Sequence, residues 1–229
     1  MSERGEGRDG ARLRVTRLVL LMAGVALIAG AAVVLYLAYA DDLRYALSQR
    51  ELAAAVPATP VATQTVESTS TLDFSGWTEE DLAYWHGLHE GQVFGRLVAA
   101  KAHINDMVVK GAERDDLAEG PGWIVQTDPP GAEGNCGISG HRTTHGAPFR
   151  NLDDLKIGAS IDLYSPYRRY TYIVDRILRV TPDHVEVVAH TVEPRLTLTS
   201  CDPPGSASKR LVVQGHLVAV VRIATEFGK

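Results

Sequence analysis

The feature that most restricts this chain is an apolar run near its start. Residues 18–40 are 23 consecutive residues without a charge, rich in Leu, Val and Ala. A helix rises ~1.5 Å per residue, so about 20 such residues cross ~30 Å of hydrocarbon. Five arginines and three acidic residues precede the run, and two aspartates follow it. The pattern predicts one transmembrane helix, with residues 1–17 in the cytoplasm and the rest of the chain outside the cell.

A cleaved signal peptide is the competing interpretation of the same run. The small residues of Ala38-Tyr39-Ala40 are typical of a cleavage site. The apolar part of a signal peptide usually has only ~7–15 residues, however, so the longer run favours a retained anchor. We find no second run of this length and expect a single-pass protein of the cell membrane, in contact with the membrane through residues 18–40.

The charge of the remaining chain excludes one class of partner. Residues 1–17 hold five of the 23 basic and three of the 28 acidic residues, which leaves 18 against 25 and a formal charge of −7. A surface of this sign does not attract nucleic acid, and no basic run with interleaved aromatic residues is present. We therefore expect no nucleic-acid partner.

Composition divides the part that follows the anchor into two regions. Residues 41–76 are interpreted as a stalk and linker, since 41–55 continue the helical pattern and 56–70 are rich in Pro, Thr and Ser. Residues 77–229 are interpreted as one folded domain. At its start Thr78 has the pattern of a helix N-cap, and the aromatic residues of this helix, which should end near Gly87, are expected to pack on the domain.

From about Gly91 the pattern changes to short apolar runs separated by Gly, Pro, Asn and Asp, which is typical of an all-β domain. Two single helical turns are expected at 115–119 and 151–155. The predicted strands are Val93–Ala99, Met107–Lys110, Gly122–Val125, Cys136–Gly140, Ser160–Ser165, Arg169–Val180, His184–Ala189, Arg195–Cys201 and Arg210–Arg222.

One predicted strand ends in a reactive group. Leucine and threonine alternate along Arg195-Leu-Thr-Leu-Thr-Ser-Cys201, which places the cysteine on the face that carries the threonine hydroxyls. The following loop, residues 202–209, contains Pro-Pro-Gly and can return the chain so that Arg210 begins the next strand near the sulfur. A thiol and a guanidinium at one edge of a sheet indicate an acyl-transfer site.

A second motif, Gly134-Asn-Cys-Gly-Ile-Ser-Gly-His-Arg142, completes a resemblance to a known family. With this motif, the segment Thr197-Leu-Thr-Ser-Cys201 and an arginine nine residues after that cysteine, the chain resembles the sortases. Sortases are cysteine transpeptidases of Gram-positive cell surfaces. Ser200 stands where the family usually has threonine. The Cys-Asp-Pro-Pro segment is most similar to class E, the housekeeping type of actinobacteria. The resemblance implies a closed eight-stranded β-barrel with short helices, preceded by the transmembrane helix and stalk.

The resemblance also implies roles for particular residues. Cys201 would be the nucleophile. His141 would share the proton of the Cys201 thiol and later donate it to the leaving amine. Arg210 would hold the developing oxyanion. Thr199 and Ser200 would contact the substrate. The implied reaction cleaves an LPxTG-like or LAxTG-like sorting signal of a surface protein between Thr and Gly. It joins the acyl part to an amine of a peptidoglycan precursor, with no cofactor and no metal.

Four alternatives remain open from the residues. Cys136 and Cys201, the only two cysteines, could form a disulfide in a non-catalytic cell-envelope binding module. A hydrolase would use water in place of the amine. Arg195 shares the Cys201 face but lies six residues back, ~20 Å at ~3.3 Å per residue, which disfavours it for the role of Arg210. Cys136, His141 and His145 are nominal zinc ligands, although no helix is expected to align them.

Overall fold

The computed structural model describes residues 6–55 and 72–223. The chain divides into two compact units, Met1–Asp41 and Asp42–Lys229. The predicted spacer 56–70 lies outside the described residues. The assigned boundaries of the tail, anchor, linker and catalytic domain stay predictions.

Helix α1, Glu6–Ala55, contains the apolar run from the sequence. Its segment Thr16–Tyr36 is long and apolar enough to cross a membrane, and the most apolar part of this segment is not buried inside the protein. Exposure of leucines and valines to water over this length is unfavourable, since each buried side chain contributes about 1.5–3 kcal/mol. The segment is therefore suited to a lipid environment.

Eight strands form a closed barrel, and this confirms the predicted all-β class. Going round the barrel the strands follow the order β1-β2-β3-β4-β7-β8-β6-β5. Neighbouring strands are antiparallel except for the parallel pairs β2–β3 and β4–β7. The strands are β1 Val93–Ala99, β2 Ile104–Lys110, β3 Gly122–Trp123, β4 Asn135–Ser139, β5 Ser160–Tyr164, β6 Arg168–Val180, β7 Arg195–Asp202 and β8 Lys209–Arg222.

The predicted strand His184–Ala189 is wrong. Residues Val185–Val188 form a 3₁₀ helix in the connection between β6 and β7. The carbonyl of Val187 accepts hydrogen bonds from the side chains of Asn135 (3.1 Å) and Gln214 (2.8 Å). A short apolar run is compatible with a strand or with a helical turn. Here the side-chain amides of Asn135 and Gln214 donate the hydrogen bonds to its backbone that a neighbouring strand would otherwise supply.

The remaining helices are short, and one predicted cap is wrong. A π-helical turn Thr78–Leu82 leads into α2, Ala83–Gly87, and α3 spans Arg114–Glu119. Trp77 precedes the turn with helical φ and ψ of −55° and −44° and no side-chain cap, so Thr78 lies inside the helix and does not cap it. Two further 3₁₀ turns are Ala100–Ala102 and Leu152–Asp154.

Aromatic side chains connect α2 to the barrel. Trp85 is almost fully buried, and its indole nitrogen donates to the carbonyl of Phe94 at 3.2 Å. The rings of Trp85 and Phe94 stack with centroids 5.3 Å apart, and Phe94 stacks on Trp123 at 4.6 Å. Such pairs contribute about 0.5–1.5 kcal/mol beyond their buried area. The prediction that this helix packs on the domain is confirmed.

A buried ion pair makes a second connection between the same segment and the barrel. The side chains of Arg168 on β6 and Asp81 are both fully buried and in direct contact, and Arg168 also pairs with Glu80 at 2.9 Å. Removing one partner of such a pair leaves an uncompensated charge without water, which is strongly unfavourable.

We therefore predict that Asp81→Ala lowers the free energy of unfolding by about 3–5 kcal/mol. The measurement is urea unfolding of the full chain in detergent, followed by tryptophan fluorescence. Glu79→Ala, an exposed acid in the same turn, is the control and should change stability by less than ~0.5 kcal/mol. Equal effects of the two substitutions would contradict the role assigned to the buried pair.

Candidate active site

Three neighbouring strands bring His141, Cys201 and Arg210 to one edge of the barrel. The parallel strands β4 and β7 pair Ser139 with Thr199, and the amide of Gly140 donates to the carbonyl of Thr199 at 3.1 Å. Parallel chains advance in step, so His141 and Cys201, each two residues further on, lie beside each other. On the other side of β7, Cys201 pairs with Arg210 of β8.

Both cysteines are free thiols in different environments. Cys201 is half-buried, whereas Cys136 is fully buried. Cys136 pairs with Leu196, which is five residues before Cys201 along β7, or about 16 Å at ~3.3 Å per residue. Because a disulfide requires Cα atoms within ~7 Å, these positions cannot be bridged. Burial, together with the charge of Asp128, raises the pKa of the Cys136 thiol and keeps it protonated.

The residues next to His141 are bonded to the residues next to Cys201. The Ser200 hydroxyl donates to the carbonyl of Gly140 at 2.7 Å. Arg142 donates through Nη1 to Oδ1 of Asp202 at 2.7 Å. The imidazole and the thiol are therefore placed between two cross-strand connections, one before them and one after.

The ion pair between Arg142 and Asp202 has little contact with water. Arg142 is 3% exposed, and its second nitrogen Nη2 lies 2.8 Å from the carboxylate of the half-exposed Asp153. Asp202 is also buried, and it accepts a further bond from Nε of Arg179 at 3.1 Å. Neither Arg142 nor Asp202 is among the site residues predicted from the sequence. Their only signal was position, directly after the histidine and directly after the cysteine.

Gly140 is required by a close approach of the Phe149 ring. A Cβ atom at residue 140 would lie 2.8 Å from that ring, which is fully buried. The amide of Phe149 also donates to the carbonyl of His141 at 3.0 Å. A larger residue before the histidine would displace either the ring or the chain that carries the imidazole.

The imidazole of His141 is held in its neutral form at neutral pH. Its Nε2 atom is buried and has no hydrogen-bond partner among the described residues. Burial, and secondly the nearby His145, lowers the pKa of His141 below its ordinary value. The two rings are tilted against each other with centroids 5.0 Å apart.

The guanidinium of Arg210 has no carboxylate partner within residues 6–55 and 72–223. Its Nη1 donates to the backbone carbonyls of Ala207 and Lys209, both at 3.1 Å, and none of the ion pairs among the described residues involves it. Its charge is available to an anionic group. Arg195, the alternative, pairs instead with Asp175 near the opposite end of β7.

A groove of about 320 Å³ lies beside these strand ends. Ser139, Thr199 and Arg210 line it from the three strands, and Val187 and Val188 line it from the 3₁₀ helix. The groove is within the size range of small-ligand sites. Thr199, one of the two predicted substrate contacts, therefore lines this groove.

Ser200, the other predicted substrate contact, does not line this groove. Consecutive residues of a strand face opposite sides, so Ser200 points away from the groove that Thr199 lines. It is 3% exposed, and its hydroxyl is bonded to Gly140. The position supports the histidine-bearing loop from within the protein.

No group of three or more metal-ligating side chains is found within residues 6–55 and 72–223. Cys136 is five residues out of register with Cys201, so it does not join His141 and His145 in a common site.

The closed barrel thus holds the half-buried thiol of Cys201 between the chain that carries His141 and the chain that carries Arg210. The chain belongs to the sortase family, because the sortase domain of that family matches residues 97–218, more than half of the chain. The family predicted from the motifs is therefore confirmed.

Relatives of known identity give the same family. The chain is 33% identical to sortase A of Bacillus anthracis over 132 residues, which are 57% of this chain and 62% of that protein. It is 33% identical to sortase SrtE1 of Streptomyces coelicolor over 99 residues, 39% of this chain and 28% of that protein. The chain thus spans less than two thirds of the length of either relative.

Solved structures share the fold. Sortase E1 from Streptomyces coelicolor is 26% identical with a TM-score of 0.54, covering 58% of this chain and 91% of that one. Sortase E from Streptomyces avermitilis is 28% identical with a TM-score of 0.53, covering 59% and 93%. Class E proteins occur among both the relatives and the structural neighbours.

The ion pair after the two site residues leads to a first prediction for this site. Asp202→Asn should destabilise the protein by about 3 kcal/mol, because it leaves the buried Arg142 short of a full charge partner. Asp153→Asn removes the half-exposed partner of the same arginine and should change stability by less than ~1 kcal/mol. The measurement is urea unfolding of both variants. A larger effect at Asp153 would contradict the assignment.

The contact between the imidazoles of His141 and His145 leads to a second prediction for this site. His145→Asn should raise the pKa of His141 toward its ordinary value, because the neighbouring ring that disfavours a second positive charge is removed. Asparagine tolerates the left-handed backbone at this position, where φ is 49°. The measurement is an NMR titration of the imidazole signals.

The matched control for that titration is His103→Asn. His103 is an exposed histidine with the same left-handed backbone, at φ 55°. The pKa of His141 should not change in this variant. A lower pKa of His141 in His145→Asn would show that the second ring acts in the opposite direction.

Proposed function

We propose that this protein is a membrane-anchored cysteine transpeptidase that cleaves a sorting signal and transfers its acyl part to an amine. The observation that carries the proposal is the register of three strands, which puts the thiol of Cys201 between His141 and Arg210. Membership in the sortase family supports the same reaction.

The first half of the reaction forms a thioester. The sulfur of Cys201 attacks the carbonyl carbon of the threonine in an LPxTG-like or LAxTG-like signal, and the bond to the glycine nitrogen breaks. His141 accepts the thiol proton and donates it to the departing amine. In the second half an incoming amine attacks the thioester carbon, the carbon–sulfur bond breaks and a new amide forms. His141 takes a proton from the incoming amine and passes it to the departing sulfur.

Arg210 stabilises the negative charge that develops on the carbonyl oxygen. An arginine carries a permanent charge and several donors in one plane, which suits a site for an oxyanion. Its lack of a carboxylate partner among the described residues supports this role. Thr199 contacts the peptide in the groove, and the solved structure of Streptomyces coelicolor sortase E1, whose title reports a tripeptide in the active site, offers a precedent.

The anchor and the partners follow from the same proposal. The helix Thr16–Tyr36 holds the protein in the membrane, with the arginine-rich start of the chain in the cytoplasm and the barrel outside the cell. The substrates are surface proteins with a carboxy-terminal sorting signal. The acceptor is an amine of a peptidoglycan precursor, and water replaces it when no amine is present.

The experiment uses the full chain in detergent with LPxTG and LAxTG peptides, with and without an added amine. We predict that Cys201→Ala lowers kcat/KM by more than about 10³-fold, because the covalent intermediate cannot form. Mass spectrometry identifies the cleaved peptide and the amine conjugate, and it detects the thioester on the unmodified protein.

The second cysteine provides the matched control. Cys136→Ala removes a thiol that is fully buried and should keep most of the activity. Normal turnover by Cys201→Ala would end the assignment of the nucleophile. Cleavage without any conjugate over a range of amines would favour the hydrolase.

A further inference from the structure

The last part of helix α1 belongs to the barrel unit and packs against it. We call residues 42–55 the docking segment. Tyr45 and Leu52 within it are only 8% and 9% exposed, whereas Leu43 and Leu47 on its free face are 61% and 48% exposed. The segment therefore has one buried face and one open face.

Polar contacts fix the position of this segment along the barrel. Gln49 accepts from the amide of Met107 at 2.7 Å, and its side-chain nitrogen donates to the carbonyls of Met107 (3.2 Å) and Glu119 (2.8 Å). Leu52 joins a small apolar cluster with Met107. The hydroxyl of Tyr45 donates to Oδ1 of Asp106 at 2.7 Å. Bonds to backbone on strand β2 leave the helix little freedom to slide.

Beyond these anchors, the ring of Tyr45 reaches the loop that carries His141. A Cβ atom added at Gly146 would lie 2.1 Å from a ring carbon of Tyr45, so the ring lies directly against the glycine backbone. Gly146 follows His145, whose imidazole is 5.0 Å from that of His141. A direct chain of contacts thus connects the docking segment to the imidazole.

The loop needs an external support because its backbone is unfavourable. Residues His145, Gly146 and Ala147 have φ of 49°, 68° and 48°, all left-handed. For residues other than glycine such conformations cost about 1–3 kcal/mol each and persist only where the surroundings fix them. The amide of Ala147 bonds back to the carbonyl of Thr144 at 2.9 Å, and the ring of Tyr45 packs on the outside.

We infer that Tyr45 is a positioning residue for His141, acting through Gly146 and His145. The expected effect on kcat rests on the proposed function. The contact between Tyr45 and Gly146 does not depend on that function. The docking segment is then part of the site, in addition to any role in connecting the barrel to the apolar part of the helix.

Tyr45→Ala in the full chain should lower kcat by about 10- to 100-fold, the usual effect of a misplaced catalytic group. KM should change little, because the groove lined by Thr199 and Arg210 is untouched. A looser loop also exposes the imidazole, so the pKa of His141 should rise in an NMR titration. Leu47→Ala, on the free face of the same helix, is the control and should match the unmodified protein in all three measurements.

Two further variants separate positioning from general stability. Gly146→Ala disturbs the same contact from the other side and should raise the pKa of His141 in the same way. Tyr45→Phe keeps the ring and loses only the bond to Asp106, so it should restore the His141 titration even if the protein unfolds at lower urea. A merely structural role would lower stability in Tyr45→Ala without moving the His141 titration.

The outcomes decide the inference independently of the proposed function. An unchanged His141 titration and an unchanged kcat in both Tyr45→Ala and Gly146→Ala would overturn it. If the unmodified protein does not cleave either peptide, the proposed function fails while the titration still tests the contact. A shift in Gly146→Ala alone would place the effect in the loop and would also overturn the role of Tyr45.

Discussion

The parallel pairing of β4 with β7 is the constraint on which the site depends. A parallel pair fixes two chains in step, so the residues that follow Ser139 and Thr199 remain neighbours after the ladder ends. A slip of one residue would turn the cysteine to the opposite face. The antiparallel partner β8 then fixes the residue on the other side of Cys201 as Arg210. The two pairings together determine which residues lie on either side of Cys201.

This register is reinforced where the strands end. The bond of Ser200 to Gly140 and the buried pair Arg142–Asp202 stand on the two sides of the thiol and the imidazole. The Ser200 hydroxyl fills a buried position within hydrogen-bond distance of the Gly140 carbonyl. The ion pair has little access to water, so its geometry matters more than that of a surface pair.

Much of the fold could be predicted because most strands alternate clearly, and because the glycine-histidine and cysteine motifs stand at strand ends. The sequence did not distinguish a strand from a 3₁₀ helix at 185–188, where side chains from distant strands satisfy the backbone. It also missed the Arg142–Asp202 pair and the contact of Tyr45 with Gly146. Both contacts join segments about 60 to 100 residues apart in the sequence, and neither contact is marked by a pattern of neighbouring residues. Long-range contacts of this kind are visible only once the register is known.

The separation of the two thiols has a consequence for oxidative damage. Cys136 is enclosed in the core and lies five residues away from Cys201 in the pairing of β4 with β7. The half-buried sulfur of Cys201 therefore has no internal partner with which to form a protective disulfide. An oxidant that converts Cys201 to a sulfenic acid leaves a group that only an external thiol can reduce. Repair of this protein would therefore depend on a second molecule that supplies a thiol.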